Sequence, residues 1–582
     1  MGFGKAVDAL GGPLWRALSG IAVFVILAAT ATVSANEGSV EEKIAAAKKL
    51  YDAKQWEEVL LATKDAPGTP GDFGLYRGLA LSHLQRWDEA QAAFAAGLAS
   101  NPSDARLMVE LGGLAYRKKD FPEAKTYLRH ALAIDGGDSY TNNLLASIYF
   151  LEGNLEAALK YWNRVGKPQL SDLRFQPQPS LKPILLDRVF AFQRGSVWTG
   201  QQYLETETRS AQLGVFQSER FDLLTNDDDS FDLVFTGAEK PGWQNSPWIA
   251  GANLLSGLPY LTIYPEFPNI NESATNWNSM ARWDDQKRRY MSKLSGPLRQ
   301  NPAWRYSVDF DFRNENWNLT NTLLPATPGA AAVNLREGSL GMRFEAVAQA
   351  GWNWSVGPVF AYRDFRSPVG LPAAAAPFFS SGSNLGLQGS VTRHVVRHPE
   401  RRFTVDGTAS GEVGTFLNGP LGRYSKLNGE LDSRWMPRAQ GDDYETHARL
   451  RSGGTFGSVP LDELYILGFD RDTDLWMRGH PGLLNGQKGN APLGREYVLV
   501  NSEVDKIVYR APIVTFRMGP FLDTGKVIDP SGYFGSPRWM WDTGAQLKVR
   551  VLGSFEFVLG YGKDLRSGKN SFFTTVLPKT AK

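Results

Sequence analysis

The spacing of apolar residues changes along the chain, and each change marks a different kind of structure. From about residue 40 to 167, apolar side chains recur at helical intervals in an Ala-, Leu-, Lys- and Glu-rich background. Pro168 to Pro183 reads as a Pro-containing linker. Beyond it, Val189-Phe190-Ala191-Phe192 reads as a short strand and Gln201 to Gln212 as a helix. Two alternating strands follow, at 220–223 and 231–235, around the turn Asn226-Asp227-Asp228-Asp229. That acidic turn lacks the spaced ligands and downstream Glu of a calcium loop, so it reads as a solvated hairpin end. From about Pro241 the helical period gives way to period two, in short segments broken by Gly, Pro, Asn and Asp. Tyr306, Val308, Phe310 and Phe312 alternate with Ser307, Asp309, Asp311 and Arg313. Phe344, Ala346 and Ala348 alternate with Glu345, Val347 and Gln349, and Phe555, Phe557 and Leu559 with Glu556, Val558 and Gly560. Inward charges between outward apolar residues are costly in a solid core but suit a wet lumen. At roughly 10 residues per strand, this stretch accommodates about 14–18 strands of an antiparallel transmembrane barrel, and about 16 is the expectation.

The helical stretch repeats itself every 34 residues: Gly78, Gly112 and Ala146 align, as do Trp87, Phe121 and Leu155, and Ala90, Ala124 and Ala158. Small residues fall where paired helices cross closely, bulky ones where the next helix must be packed. Pro102 closes the first of these units, and Trp56-Glu57-Glu58-Val59 parallels Trp87-Asp88-Glu89-Ala90 as a degenerate earlier one. A helix–turn–helix period of this length is the tetratricopeptide signature, an α-solenoid with a concave interaction surface and no chemistry of its own. The alternative role is a rigid spacer.

Composition is compatible with the barrel reading. The chain has 59 Gly, 17 Trp and a 12% aromatic share, as a barrel with aromatic girdles needs, although a β-sandwich enzyme shares such a composition. Net charge is +2, which gives no electrostatic case for nucleic acid. The absence of cysteine excludes disulfides, thiolate catalysis and Cys-based metal sites. At the N-terminus Lys5 and Arg16 precede an apolar run from Ala17 to Val33, ending Val33-Ser34-Ala35 before Asn36. This is a signal-peptide pattern over 1–35, with cleavage after Ala35; an uncleaved inner-membrane anchor is the competing reading. No other stretch approaches a transmembrane helix, so a membrane would have to be crossed by strands.

The C-terminal third carries motifs. Leu464 to Gly479 (LYILGFDRDTDLWMRG), followed by His480, resembles the apolar–Arg–Gly–aromatic loop of the BamA/TamA-like outer-membrane assembly superfamily. Val498 to Val504 is similar to that family's next strand. Phe521, Asp523 and Gly525 match its F-x-D-x-G strand. Asp542-Thr543-Gly544-Ala545 through Tyr561-Gly562-Lys563-Asp564-Leu565 is similar to its last strand pair. Residues 189–239 resemble one POTRA (polypeptide-transport-associated) domain, with Leu213 to Phe216 standing for the glycine–aromatic element. The resemblance implies that the loop folds back into the lumen, with Arg478, Gly479 and His480 as its motif. Asp523 is then the expected wall partner of Arg478 and Glu503 a second one, because a guanidinium in a partly dehydrated lumen needs a bidentate carboxylate. An isolated arginine in a solvated loop is the alternative. The chain departs from the family pattern in three ways. His480 replaces an aromatic residue, and Val576 to Lys582 replaces a terminal aromatic, so that the targeting signal is expected either inward at Phe572 or Phe573 or in an altered form. A single POTRA-like unit also follows tetratricopeptide repeats.

The resulting expectation is an α+β multidomain chain: signal peptide 1–35, α-solenoid repeats 38–167, small α/β POTRA-like domain 183–240 and transmembrane β-barrel 241–582. A search for catalysis yields no site. His394 and His398 are four apart without the metalloprotease Glu, and lie in a basic run, Arg393 to Arg402, suited to anionic headgroups or loop carboxylates. His83 and His130 lie in the repeats, and no G-x-S-x-G elbow or phosphate loop occurs. His447 with Asp442 or Asp443 is the one conceivable dyad. The expected protein is therefore not an enzyme and needs no cofactor or metal. It sits in a bacterial outer membrane with its N-terminal domains in the periplasm. Its expected partners are outer-membrane lipids, client outer-membrane or secreted proteins, and a periplasmic protein docked on the repeats. A passive pore for exopolysaccharide or lipoprotein is the alternative.

Overall fold

The computed structural model describes residues 40–64, 71–190, 192–324, 330–349, 351–439, 443–511, 513–551 and 555–578. The expected signal segment lies outside them. The chain divides into two compact units: residues up to 174 with 193–200 and 222–234, and residues 175–192, 201–221 and 235 onward.

In the first unit the described residues form helices α1 (Val40–Asp52), α2 (Trp56–Ala62), α3 (Gly71–His83), α4 (Trp87–Ser100), α5 (Ala105–Arg117), α6 (Phe121–Ile134), α7 (Ser139–Leu151) and α8 (Leu155–Trp162). Polar side chains start several of them by accepting from free backbone N–H groups. Asp104 takes Arg106 N–H, Asp120 takes Glu123 N–H, Asp138 takes Thr141 N–H and Asn154 takes Ala157 N–H. The small repeat positions let paired helices touch: a Cβ at Gly78 would lie 2.3 Å from the Phe94 ring, and one at Gly112 2.8 Å from Leu128. Ala90, Ala124, Ala146 and Ala158 are fully buried and Leu155 is buried, whereas Trp87 and Phe121 are half-buried at the helix starts. Trp87 carries the Arg117 guanidinium 4.8 Å above its ring. Successive repeats are joined by the buried Lys125–Glu152 pair at 2.6 Å and by Arg106–Asp72 at 2.7 Å. The turn inside each helix pair passes through the left-handed region at one equivalent position: Lys54, Gln85, Lys119 and Gly153.

A three-stranded sheet follows in the order β1–β3–β2, and the boundary between the two units runs through it. Its elements are β1 (Leu170–Phe175), α9 (Pro183–Val189), α10 (Gly200–Leu213), β2 (Phe216–Thr225) and β3 (Phe231–Glu239). Two expectations are corrected here. The proline-bounded linker contains β1, whose Leu170 is fully buried, and Val189 ends a helix instead of opening a strand. Pro183 sits in the first turn of α9, where a proline without an N–H is tolerated. In the second unit Phe175, Phe190, Phe216, Phe221 and Phe235 pack around one another with ring centroids 5.1–6.4 Å apart. The acidic turn is a turn, with Asp228 accepting from Ser230 N–H.

Residues 241–261, expected to open the barrel as strand, instead hold helix α11 (Pro247–Leu255). The barrel strands then run β4 (Thr262–Ile263), β5 (Glu266–Ile270), β6 (Thr275–Trp283), β7 (Lys287–Leu298), β8 (Asn301–Asn318), β9 (Ala332–Gln349), β10 (Trp352–Val369), β11 (Gly382–His398), β12 (Phe403–Phe416), β13 (Arg423–Trp435) and β14 (Tyr444–Gly457). A loop over 458–495 carries the short pieces β15 (Tyr465–Ile466), β16 (Leu483–Leu484), β17 (Gln487–Lys488) and β18 (Leu493–Gly494). The last strands are β19 (Glu496–Arg510), β20 (Val514–Ile528), β21 (Met540–Val551), β22 (Phe555–Asp564) and β23 (Asn570–Pro578). β14 pairs directly with β19, so the loop is an excursion from a continuous antiparallel ladder. β4 and β5 both pair with β6 and form one interrupted strand. Several strands exceed the expected ten residues, β8 to β10 having 18 each.

Alternation follows the sequence pattern. Phe310 and Phe312 are exposed on the outer face, while Ser307 is buried and Asp311 ion-pairs with Arg289 at 2.7 Å inside. Leu340, Val356, Phe360, Leu385, Leu387 and Val413 continue the exposed apolar band that a barrel turns to lipid. No helix among the described residues is long and apolar enough to cross a membrane, a statement that does not concern strands.

Two outcomes test the packing of the repeats. Gly78→Ala, whose new methyl meets the Phe94 ring, is expected to destabilise them by about 1–3 kcal/mol. Gly113→Ala, which meets nothing within 4 Å, is expected to stabilise them by up to about 1 kcal/mol. Urea-dependent hydrogen exchange of α5 in the full-length protein reads both. The second test concerns Glu110 on α5. Burial lifts its carboxyl from 4.5 to about 7, with Arg117 opposing, and burial followed by the Glu110 charge raises Tyr51 to about 12. Because the folded value exceeds the unfolded one, the unfolded chain ionises first as pH rises. The contribution is therefore intact below about pH 4.5, declines from there to about pH 7 and stays lost above it. In Glu110→Gln that decline should vanish from the pH profile of exchange protection; an unchanged profile would refute the assignment.

Candidate functional site

The loop between β14 and β19 is fastened to the barrel wall by charge. Arg478, 4% exposed, lies at its centre. Its Nε and Nη2 donate to the two carboxylate oxygens of Asp523 at 2.9 and 2.7 Å, and its own backbone N–H donates to Asp523 at 3.0 Å. Nη1 donates to Glu503 at 2.8 Å and to the Gln546 carbonyl at 3.0 Å. The guanidinium carbon sits 3.8 Å over the Phe521 ring. Lys548 donates to Glu503 at 2.6 Å and Asn501 to Asp523 at 2.7 Å, so neither carboxylate depends on the arginine alone. Such bidentate, charge-assisted pairing is what makes a desolvated guanidinium tolerable.

Period-two spacing explains the Phe521, Asp523, Gly525 motif: all three face the lumen. Phe521 supplies the platform and Asp523 the acceptor. Gly525 leaves room for the loop, since a Cβ there would come within 3.2 Å of Leu467. Gly479 is equally constrained. Its N–H donates to Asp542 at 2.6 Å, and a Cβ would lie 2.7 Å from that carboxyl carbon. His480 places Nδ1 3.0 Å from Asp542 and Nε2 3.7 Å from Asp564. These three residues are close enough to hold a metal ion, but Asp542 is already shared by the Gly479 N–H and His480. The ion pairing accounts for the cluster.

Several wall contacts were not read from the sequence. Asp470 and Asp472 meet Lys287 at 2.7 and 2.5 Å, and Asp472 also meets Arg282 at 2.7 Å and Arg289 at 3.2 Å. Asp462 and Glu463 hold Arg363 at 3.0 and 3.1 Å, Asp474 meets Arg451 at 2.9 Å, and Lys488 meets Glu315 at 3.1 Å. The available signal was an acidic loop, Asp462 to Asp474, following strands with the run Lys287-Arg288-Arg289. Strands β6 to β14 thus offer cations to the loop's acids, and β19 to β22 offer acids to Arg478 and His480. Apolar contacts fill the spaces: Leu464, Ile466 and Leu493 join Trp317, Leu335 and Phe378, while Leu467 and Met477 join Leu499 and Val527.

Two further barrel histidines, His447 and His394, have carboxylate partners. His447 meets Asp432 at 2.6 Å across β13 and β14, and Asp443 pairs with Arg438, so the dyad considered from sequence is not formed with Asp443; Asp442 lies outside the described residues. His394 pairs with Asp406. In the basic run, Arg393 lies over Trp352 at 4.7 Å and Arg397 reaches Glu207 of α10 at 3.3 Å. Of the two candidate terminal aromatics, Phe573 is buried against Phe469 and Phe521, and Phe572 points outward.

A tetratricopeptide-repeat family model matches residues 76–139. No curated protein matches the sequence. Among solved structures, CdiB from Escherichia coli is similar at 13% identity and a TM-score of 0.45, over 71% of this chain and 75% of that one. BamA from Haemophilus ducreyi lacking POTRA domains 1–3 is similar at 11% identity and a TM-score of 0.40, over 70% of this chain and 84% of that one. CdiB from Acinetobacter baumannii is similar at 12% identity and a TM-score of 0.40, over 80% and 86%.

Removing the Arg478 guanidinium leaves buried Asp523 with the Asn501 amide and the 478 backbone N–H, and depriving a buried charge of its counter-ion typically costs about 3–5 kcal/mol. Arg478→Ala should therefore lower the temperature at which the folded barrel converts to its unfolded gel mobility. Arg478→Lys keeps the charge but loses the bidentate fork and should fall between that variant and the parent. Equal conversion temperatures for all three would show that the pair does not hold the loop.

Proposed function

We propose that this protein is an outer-membrane barrel that inserts or translocates client proteins, its helical repeats and POTRA-like sheet forming a periplasmic arm. The observation that carries the reading is the Arg478–Asp523 pair at 2.7 Å inside the barrel, formed between the two motifs on which the resemblance to the BamA/TamA-like superfamily rests. A loop tied into the lumen suits a protein whose cargo leaves beside or around it better than a wide unobstructed pore. The small sheet supports the same reading, because the order β1–β3–β2 leaves β1 and β2 at its edges, where an extended client segment can add by backbone hydrogen bonds. The repeats offer a surface for a protein partner: around Glu110 lie Tyr51, Tyr116 and Tyr140, aromatic side chains with polar ends of the kind that protein interfaces favour. No catalytic constellation enters this reading, and no cofactor or metal is required by it.

The test is removal and complementation in the native host, with outer-membrane and secreted proteins quantified. Loss of a defined set of proteins, restored by the parent chain and only weakly by Arg478→Ala, is the expected result. If the protein profile is unchanged while a surface polysaccharide or lipoprotein disappears, the chain is a passive exporter instead.

A further inference from the structure

Close helix packing accounts for Gly78 and Gly112 but not for Gly113, which lies in the middle of α5. A Cβ there would meet nothing within 4 Å, and the backbone is helical, so neither sterics nor conformation calls for glycine. A mid-helix glycine weakens a helix, and here packing returns nothing for it. The 34-residue period puts Leu79 and Ser147 at the equivalent positions, so Gly113 is a notch in that row. One turn earlier on the same face stands Glu110. Its carboxylate has no hydrogen bond and no close ion pair among the described residues. Arg117, whose charge reaches it, is held over the Trp87 ring at 4.8 Å. An acid this poorly partnered is raised by burial to about 7.

Tyrosines surround this pair. The first helices of successive repeats, α1, α3, α5 and α7, lie side by side, and each contributes one. Tyr51 of α1 and Tyr76 of α3 have ring centroids 5.9 Å apart. The Glu110 charge, second to burial, raises the hydroxyls of Tyr51 on one side and Tyr140 of α7 on the other, so both lie within its field. Tyr116 of α5 adjoins Tyr140. Tyr51 places its hydroxyl 3.3 Å from His83 Nε2, whereas those of Tyr76, Tyr116 and Tyr140 make no hydrogen bond among the described residues. These features select a guest. A poorly paired carboxylate attracts a cation and repels an anion, and the faces of aromatic rings attract the same sign. Phenolic oxygens accept from N–H donors. A notch walled by rings suits an aliphatic stem that carries a charged end, as in lysine and arginine.

We propose that Glu110, the notch at Gly113 and the tyrosines beside them form a seat for one lysine or arginine side chain of a partner polypeptide. The seat gives the repeats their chemical selectivity, and it rests on the reading of those repeats as a docking surface. Its test is selection of random peptides displayed on phage against the full-length protein in detergent micelles. Enriched peptides are expected to share a Lys or Arg at one position. Replacing that residue by norleucine, which keeps the stem and removes the charge, should weaken binding about tenfold or more. Glu110→Gln, which removes the carboxylate charge, and Gly113→Leu, which fills the notch, should each weaken the same peptides to a similar extent. Enriched peptides without a basic residue, or with equal affinity for both variants and the parent, would overturn the seat while leaving the repeats a docking surface. Failure to enrich any peptide would overturn the docking reading, and the seat with it.

Discussion

The arrangement of this barrel depends on satisfying ions away from bulk water. Arg478 is covered by loop and wall together, and it remains charged there because Asp523 and Glu503 accept from its fork while Phe521 lies under the guanidinium. Neither carboxylate would be comfortable without it, although Lys548 and Asn501 supply partial relief. The same logic repeats around the wall with the signs reversed, where Asp470 and Asp472 are held by Lys287, Arg282 and Arg289. Each pair alone breaks roughly even against desolvation, so what the set contributes is specificity: only one placement of the loop matches every charge.

Much of the architecture was legible because it is written in local periods. The 34-residue recurrence located helix crossings at Gly78 and Gly112, since close approach of two helices excludes a side chain whatever the surroundings. Period two located outward Phe310 and Phe312 for a similar reason. Arg478 and Asp523 were reachable through motif resemblance, because both positions belong to short conspicuous strings. Their acidic and basic counterparts elsewhere were not. Lys287 and Asp470 are 183 residues apart, and nothing in either neighbourhood names the other. Likewise β1 hid between prolines, and α11 hid because an uncharged apolar run of nine residues satisfies helix and buried-strand patterns alike.

The two ends of the chain use contrasting kinds of cohesion. In the repeats, contacts are mostly between neighbours in sequence, with Lys125–Glu152 and Arg106–Asp72 carrying one repeat to the next. Stability there is a sum of similar terms, and a change in one repeat is felt chiefly by its neighbours. In the barrel the loop's partners come from strands far apart in the chain, so no short segment acquires its final surroundings until the wall is largely assembled. Forming such contacts late is the usual cost of non-local topology.

The lumenal loop also has a mechanical meaning. A thin-walled cylinder pressed from the side flattens readily unless something ties opposite walls together. Anchored to β6, β7 and β10 through its acids and to β19, β20 and β21 through Arg478 and Gly479, the loop acts as a cross-brace. Lateral pressure from the surrounding bilayer is then resisted wherever the brace reaches.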